Sequence, residues 1–450
     1  MMDPLATIVA PATPLGVSAL GVVRVSGPQV AQIVREVLGA KAYQAREMTR
    51  AVARHPLGGE RIDDLLFCVF PGPRSYTGED VLELFPHGNP LLVRHLVDAI
   101  RAVAGVRMAM PGEFTRRAFE AGKLDLVQAE AIGELLHATD DSVLHNAQRL
   151  LEGRLSGRIG KLTESVTRIS AMLELEVDFA EEEADADQAG WKAQLEDIAC
   201  QIEAMRKGFR SAAAASRTPA VVFYGAPNAG KSSLVNALLD EDRMLVSAKA
   251  GTTRDVVEVH LLLDRGEVRL VDTAGLSATP VDELDEASQQ KAKQRIGRAD
   301  LSVLLVDASV ELGDEVIEAI AVAVLLGHWV VATKADQAIC ASGLPQGTFH
   351  VSAKTQIGID ALLSRLSDKL FPEQVSTEDF WVSSERQLEC LVGAQEGVNR
   401  AIELLTNGKD APEELAFELY AVRQILSGIT GQISTDEILD VIFRKFCIGK

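Results

Sequence analysis

Cysteine and aromatic residues are scarce in this chain of 450 residues: five cysteines, and Phe, Trp and Tyr together at 5%. The cysteines (Cys68, Cys200, Cys340, Cys390, Cys447) are scattered and form no CxxC pair. That argues against a structural zinc site or a disulfide framework and for a reducing compartment. No apolar run approaches the 18 residues or so that a membrane helix needs; AIAVAVLL at 319–326 is far too short. The opening MMDPLATIVAPATP has no basic segment followed by an apolar one, so no secretory leader is expected and the chain reads as cytoplasmic. Positive charge is short as well, 45 Lys and Arg against 65 Asp and Glu, a net −20. This argues against a protein that binds nucleic acid mainly by blanketing phosphates with cations. Residues 1–123 hold 14 basic and 12 acidic side chains, leaving −22 for the rest. Contact with a polyanion such as tRNA is therefore expected on the N-terminal third or on a partner.

What is present is an ordinary folded composition, 47% hydrophobic and 24% charged. At roughly 150 residues per domain, the length implies about three domains. Residues 1–123 alternate short strand-like runs (LGVVRVSG, LLFCVFPGP, DVLELF) with helical ones (QVAQIVREVLG, PLLVRHLVDAIRAVAG), an α+β domain. Residues 124–215 turn to long amphipathic stretches that read as a helical bundle, with the acidic EEEADAD at 181–187 as a solvated loop. Residues 216–376 alternate β-rich runs (PAVVFYG, EVRLVDTAG, LSVLLVDAS, WVVATKAD) with helices, the signature of a doubly wound α/β domain. Helical periodicity returns over 377–450. The economical architecture lets these last helices complete the earlier bundle, with the α/β domain inserted into it.

The inserted region carries the chemistry. Gly225-Ala226-Pro227-Asn228-Ala229-Gly230-Lys231-Ser232 matches GxxxxGK[ST], follows an apolar strand and opens the helical run Ser233-Leu-Val-Asn-Ala-Leu-Leu. Such a loop wraps backbone N–H groups around phosphate at a helix N-terminus, with Lys231 on the β/γ oxygens and the Ser232 hydroxyl on magnesium. Gly251-Thr252-Thr253-Arg254-Asp255 supplies a further hydroxyl for magnesium and a γ-phosphate N–H. Asp272-Thr273-Ala274-Gly275 ends a strand, so Asp272 reaches magnesium through water and Gly275 N–H meets the γ-phosphate. In Thr333-Lys334-Ala335-Asp336 the carboxylate accepts N1–H and N2–H of guanine, and Ser352-Ala353-Lys354 offers a backbone N–H to its O6. The order of these elements points to GTP. Thr333 stands where the usual NKxD has Asn, and Leu276 where Ras-like proteins place a water-orienting Gln. Leu cannot polarise water, so another group must support hydrolysis.

Beyond the nucleotide motifs, GVVRVSGP, PGPRSYTGEDVLELFPHGNP, PGEFTRRAFEAGKLDLVQAEAI, GAPNAGKSSLVNAL, AGTTRD and the ending Phe446-Cys447-Ile448-Gly449-Lys450 resemble the MnmE/TrmE family of tRNA-modification GTPases, over essentially the full length. The resemblance implies a homodimer joined through N-terminal domains that each bind a folate, 5,10-methylenetetrahydrofolate or 5-formyltetrahydrofolate. It also implies an FAD- and NADH-using partner of the MnmG/GidA type in a heterotetramer. Together these install a carboxymethylaminomethyl or aminomethyl group at C5 of the tRNA wobble uridine, with GTP hydrolysis in a potassium-dependent G-domain dimer driving the conformational change that modification requires. Carried over residue by residue, Arg24, Glu83, Lys123 and Lys450 are the folate contacts, and Cys447 is a chemical participant near them. Asn228 is the potassium ligand, assisted by Ser247 and Lys249 of the loop before GTTRD and by Thr252, while Ser247, Ala248, Lys249 and Ala250 also line the nucleotide. A carboxylate in Asp282-Glu283-Leu284-Asp285-Glu286 orients the attacking water. Register gives Asp285, and a one-residue shift gives Glu286.

Two other classes are weighed against this reading. A ribosome-assembly GTPase would lack one-carbon chemistry, and the FCIGK ending and GKLDL segment favour the first reading over it. A helical scaffold with a degenerate GTPase is disfavoured by intact Lys231, Ser232, Thr253 and Asp272.

Overall fold

A computed structural model describes residues 6–178, 188–211, 217–239, 258–272, 296–297, 299–371, 380–406, 412–433, 436–444 and 446–449. They gather into two compact units: residues up to 136, 146–211 and from 378 onward in the first, and 137–145 with 212–377 in the second.

The first unit begins with strands β1 (Thr7–Pro11), β2 (Ser18–Leu20), β3 (Val23–Ser26), β4 (Thr49–Arg54), β5 (Arg61–Phe70), β6 (Val81–Phe85), β7 (His87–Gly88) and β8 (Val106–Met108). Helices α1 (Val30–Glu36), α2 (Pro90–Arg101) and α3 (Glu113–Glu120) are interspersed. Six strands form one sheet in the order β4-β5-β6-β3-β1-β8, antiparallel except for β1 beside β8, while β2 and β7 make a separate pair. Helix α2 starts where Asn89 caps the N–H of Leu91 at 2.9 Å and Pro90 supplies a first residue that needs no N–H partner. The two-residue period of the strands separates the faces. Val9, Val23, Val25, Phe67, Leu82 and Leu84 pack with Ile33 and Val34 of α1 and Leu96 and Ile100 of α2. The alternate residues, among them Ile8, Ala10, Arg24 and Glu83, face the other way, where Phe114 of α3 packs on Ile8 and Ala10.

Helices α4 (Leu126–His137), α5 (Asp141–Leu151), α6 (Arg154–Asp178) and α7 (Gln188–Lys207) follow. Along α6, Leu155, Ile159, Leu162, Val166, Ile169 and Leu173 recur at helical spacing and are buried.

The second unit has β9 (Ala220–Gly225), α8 (Lys231–Leu238), β10 (Glu258–Leu263), β11 (Gly266–Asp272), β12 (Leu301–Asp307), α9 (Asp314–Leu325), β13 (Trp329–Thr333), β14 (Phe349–His350) and α10 (Ile359–Leu370). The sheet order is β10-β11-β9-β12-β13-β14, parallel apart from β10. Strand β12 is buried almost end to end because helices cover both faces: Val303 and Leu305 meet the α8 and α10 side, Leu304 and Val306 the α9 side.

The chain then returns to the first unit as α11 (Glu385–Thr406), α12 (Pro412–Thr430) and α13 (Asp436–Phe443). Leu391 and Val398 of α11 and Leu415, Leu419 and Val422 of α12 share one core with α6 and α7, so the late helices complete the early bundle. No helix among the described residues is long and apolar enough to cross a membrane.

Candidate functional site

The phosphate loop starts where β9 meets β12. A Cβ on Gly225 would stand 2.3 Å from the Leu305 carbonyl oxygen, and its φ is +150°, so only glycine fits. Asn228 turns the loop with φ +61° and Gly230 with φ +85°, which delivers the chain to the N-terminus of α8. The amides of a helix's first turn point along its axis and favour an anion at the N-terminus. Lys231 Nζ donates to the carbonyls of Gly225 at 2.9 Å and Ala226 at 3.1 Å, setting its charge over the loop. Ser232 and Ser233 lie exposed in the first turn of α8, and Ala229 is buried beneath the loop. The last residue of β11, Asp272, is in register with Phe223 of β9, which brings that strand's end beside the phosphate loop.

Across β12, the end of β13 forms the second half. Buried Thr333 donates through Oγ1 to the Ala229 carbonyl at 2.8 Å and contacts that of Val306 at 3.2 Å. The threonine thus ties the base-reading loop to the phosphate loop. Lys334 takes a φ of +57° and pairs with Asp307 at 2.5 Å. Ala335 N–H bonds to the Val351 carbonyl at 3.1 Å, joining this loop to the Ser352-Ala353-Lys354 turn. Ser352 donates to Asp336 Oδ1 at 2.7 Å and holds that exposed carboxyl below its ordinary range. An ionised acceptor at this position suits the paired N–H donors of guanine.

A second polar cluster lies on the α3 face of the first sheet. Arg24 and Glu83 are cross-strand partners, joined from Arg24 Nε at 2.9 Å and Nη2 at 2.8 Å. The Arg24 guanidinium also lies 5.3 Å from the Tyr76 ring centroid and 5.9 Å from that of Phe114. Tyr76 is fixed through its hydroxyl to Thr115 Oγ1 at 2.9 Å, and burial pushes its phenol above the usual range. The C-terminal segment closes over this pair: Arg24 Nη1 donates to the Gly449 carbonyl at 3.4 Å. Lys123 Nζ bonds to the Pro73 carbonyl, at the start of the loop that carries Tyr76. Cys447 is exposed, and its carbonyl accepts from Gly112 N at 3.4 Å.

Behind the pair runs a buried ionic network. Glu113 is gripped by Arg107 at 2.6 and 2.8 Å, by Arg117 at 3.0 Å and by the Met110 N–H at 2.9 Å. It is desolvated, yet these donors outweigh that and hold its carboxyl below the usual range. Arg117 passes on to Glu79 at 2.9 Å, and Glu79 accepts from Ser26 at 2.6 Å.

The structure therefore brings Arg24, Glu83 and the C-terminal segment together, and Asn228, Ala229, Gly230, Lys231, Ser232 and Thr333 together. Ser247, Ala248, Lys249, Ala250, Gly251, Thr252, Thr253, Thr273, Ala274, Gly275, Asp285, Glu286 and Lys450 lie outside the described residues. Sequence reasoning missed Tyr76 and Phe114. Both fall inside the quoted motifs, and an aromatic beside each motif's charged residues was the available signal.

Fold and site together define a P-loop GTPase domain set into an α+β and helical framework. Comparisons with known proteins carry this further. The family model for the MnmE helical domain matches residues 126–447, and that for the GTP-binding protein TrmE N-terminus matches residues 7–123. The tRNA modification GTPase MnmE of Chlorobium phaeobacteroides is 36% identical over 477 aligned residues, covering 100% of this chain and 97% of that protein. The Vibrio vulnificus protein of the same name is 38% identical, covering 99% of each. Among solved structures, the G domain of the T. maritima FeoB iron transporter is 20% identical, covering 34% of this chain and 99% of that one, at a TM-score of 0.26. The family models and the full-length relatives place the chain: it belongs to the MnmE (TrmE) family of tRNA modification GTPases.

Proposed function

We propose that this chain is the GTP-hydrolysing subunit of a cytoplasmic complex that adds a carboxymethylaminomethyl or aminomethyl group to C5 of the wobble uridine in certain tRNAs. The observation that carries this reading is the Arg24–Glu83 pair enclosed by the C-terminal segment through Gly449. A guanidinium beside a carboxylate suits folate, whose glutamate tail is anionic and whose pterin presents N–H donors. Lys123 and Lys450 add cationic contacts, and Cys447 takes part in the chemistry beside them. 5,10-Methylenetetrahydrofolate or 5-formyltetrahydrofolate, bound there, would supply the one-carbon unit.

In the G domain, Lys231 neutralises the β/γ oxygens of GTP, Asp336 reads guanine, and the α8 N-terminus receives phosphate. Ser232 and Thr253 would hold Mg2+, with Asp272 acting through water. Asn228 would hold K+ with Ser247, Lys249 and Thr252, and Asp285 or Glu286 would orient the attacking water in place of the missing Gln. The chain acts as a homodimer whose G domains associate with K+, and it works with an FAD- and NADH-dependent partner of the MnmG type. The partner supplies most of the basic surface for tRNA, since this chain carries a net −20.

The test is titration of wild type and Glu83→Gln with 5-formyltetrahydrofolate, alongside nucleoside mass spectrometry of tRNA from a deletion strain. Saturable binding lost in the variant, and wobble uridine left unmodified in the strain, are the expected results. No binding by wild type, with fully modified tRNA in the strain, would overturn the proposal.

A further inference from the structure

Helix α13 needs more than apolar packing to hold its place. At eight residues it is too short to be stable alone, and only one of its faces is buried, with Leu439, Phe443 and the following Phe446 packed on Leu126, Ala129 and Ile132 of α4. Apolar contact is non-directional and leaves rotation and sliding along α4 open. The charged contact removes that freedom. Arg116 of α3 donates from Nη1 to Asp440 Oδ1 at 2.5 Å and from Nε to Glu120 Oε1 at 2.8 Å. Its side chain is 10% exposed and that of Asp440 44%. A planar guanidinium held on its own helix by one carboxylate and reaching α13 by another fixes the helix in azimuth as well as position.

From Asp440 onward the chain has little room to absorb a shift. A Cβ on Gly112 would stand 2.6 Å from the Phe443 carbonyl oxygen, so the backbone of α13 passes directly against that turn. Past Cys447, whose carbonyl is held by Gly112 N–H, Gly449 passes Pro11 so closely that a Cβ would lie 2.2 Å from the Pro11 carbonyl oxygen. A movement of α13 is therefore handed on to Cys447 and Gly449. The same α3 that bears Arg116 also bears Phe114 beneath Arg24 and Thr115 on the Tyr76 hydroxyl. One helix registers the floor of the site and the seat of the segment that covers it.

We propose that Arg116 is a positioning residue: through Asp440 it sets Cys447 and Gly449 over the Arg24–Glu83 pair. This rests on the reading of that pair as the folate site, and adds to it the device that places the C-terminal segment there. Arg116 itself does not touch the ligand. Helix α3 keeps its own anchorage without Arg116, because Glu113 and Arg117 hold it through Arg107 and Glu79.

The experiment compares wild type, Arg116→Met, Arg116→Lys and Asp440→Asn in the full-length chain. Amide hydrogen exchange is followed at residues 436–449, along with affinity for 5-formyltetrahydrofolate and GTP turnover. Arg116→Met and Asp440→Asn should each speed exchange at 436–449 and weaken 5-formyltetrahydrofolate by about 3- to 10-fold. Exchange in α6, α7, α11 and α12 and the GTP turnover should stay at wild-type values. Arg116→Lys, which keeps the charge but not the planar fork, should recover only part of each loss. Asp440→Asn alone decides the matter if Arg116→Met does not fold. Unchanged exchange at 436–449 in Asp440→Asn overturns the proposal, as does a loss of protection spread equally over the bundle. If exchange changes as expected but wild type binds no 5-formyltetrahydrofolate, the folate reading falls and the positioning of the segment stands.

Discussion

Thr333 Oγ1 donates to the Ala229 carbonyl at 2.8 Å, so the strand leading to the base-reading loop is bonded directly to the phosphate loop. Valine has nearly the same shape but no donor, and Thr333→Val removes the hydroxyl's bond to the Ala229 carbonyl. A cost of about 1–2 kcal/mol is expected. Because the bond holds the phosphate loop, GTP affinity should fall by roughly 5- to 30-fold, corresponding to that energy. Titration with a fluorescent guanine nucleotide measures it, and Thr333→Ser should stay close to wild type.

Asp336 is exposed, ionised and aimed by Ser352. Asp336→Asn replaces one acceptor oxygen with a donor, which suits the C2 carbonyl of xanthine better than the amino group of guanine. Preference should move from GTP toward XTP in a competition assay. A variant that keeps its GTP affinity and gains none for XTP would count against this assignment.

Glu134 on α4 is pushed up to about 7, first by burial and further by the neighbouring Glu130 carboxylate, against the pull of Ser383 Oγ at 2.6 Å. The folded protein therefore keeps this proton to near neutrality, whereas the unfolded chain releases it around the ordinary value of 4.5. Stability is fully present below that value and is lost as pH rises toward about 7. Glu134→Gln is neutral at every pH. It should match wild type near pH 4 and exceed it near pH 8 by about 2–3 kcal/mol, at roughly 1.4 kcal/mol for each pH unit separating the two values. Urea unfolding of the first unit at both pH values checks this, and a difference that does not vary with pH refutes it.

Gly449 has a φ of +100° and no space for a Cβ beside Pro11. Gly449→Ala should expel the end of the chain from its seat and cost the contact with Arg24. Affinity for 5-formyltetrahydrofolate should fall by about 10-fold or more, equal to 1.4 kcal/mol, while GTP hydrolysis is unchanged. Calorimetric titration and steady-state turnover on the same preparation separate the two.

The potassium reading turns on Asn228, whose left-handed backbone shapes the phosphate loop. A cation there would neutralise charge developing between the β- and γ-phosphates, as an arginine finger does. Replacing potassium with sodium should slow hydrolysis by about 10-fold or more. Asn228→Ala should erase the difference between the salts. Equal wild-type rates in both would remove the cation model, and comparison of Asp285→Ala with Glu286→Ala would decide which carboxylate serves the water.

The sequence made the nucleotide half legible because its chemistry is local. A glycine-rich loop between strand and helix needs no distant partner to be recognised. The two halves of the bundle were legible for a similar reason, since the spacing along α6 and α11 declares a buried stripe. What stayed hidden depends on contacts between distant residues. Strands β1 and β8 are five and three residues long and pair through Thr7 and Val106, 99 positions apart. The platform under Arg24 depends on α3 packing on Ile8 and Ala10 through Phe114 and on the loop that carries Tyr76. Residues 137–145 lie within a helical-looking stretch, yet the Thr139 carbonyl accepts from Glu267 N–H of β11 at 2.7 Å, Asp141 N–H donates to the Arg265 carbonyl at 3.0 Å, and these residues belong with the second unit. No local pattern announces such a bond.

Arg210 N–H meets the Val382 carbonyl at 3.0 Å, so the chain leaves the first unit and re-enters it at one place. This has a consequence for biosynthesis. On a ribosome, the nucleotide-binding unit has all its residues once 377 has emerged and can fold while the rest is still being made. The bundle cannot. Leu155 and Ile159 must wait for Leu391, Val398 and Leu419, which are translated more than 200 residues later. The segment that covers Arg24 and Glu83 is made late in the first unit, so that site can be finished only after the GTP-binding unit has all its residues.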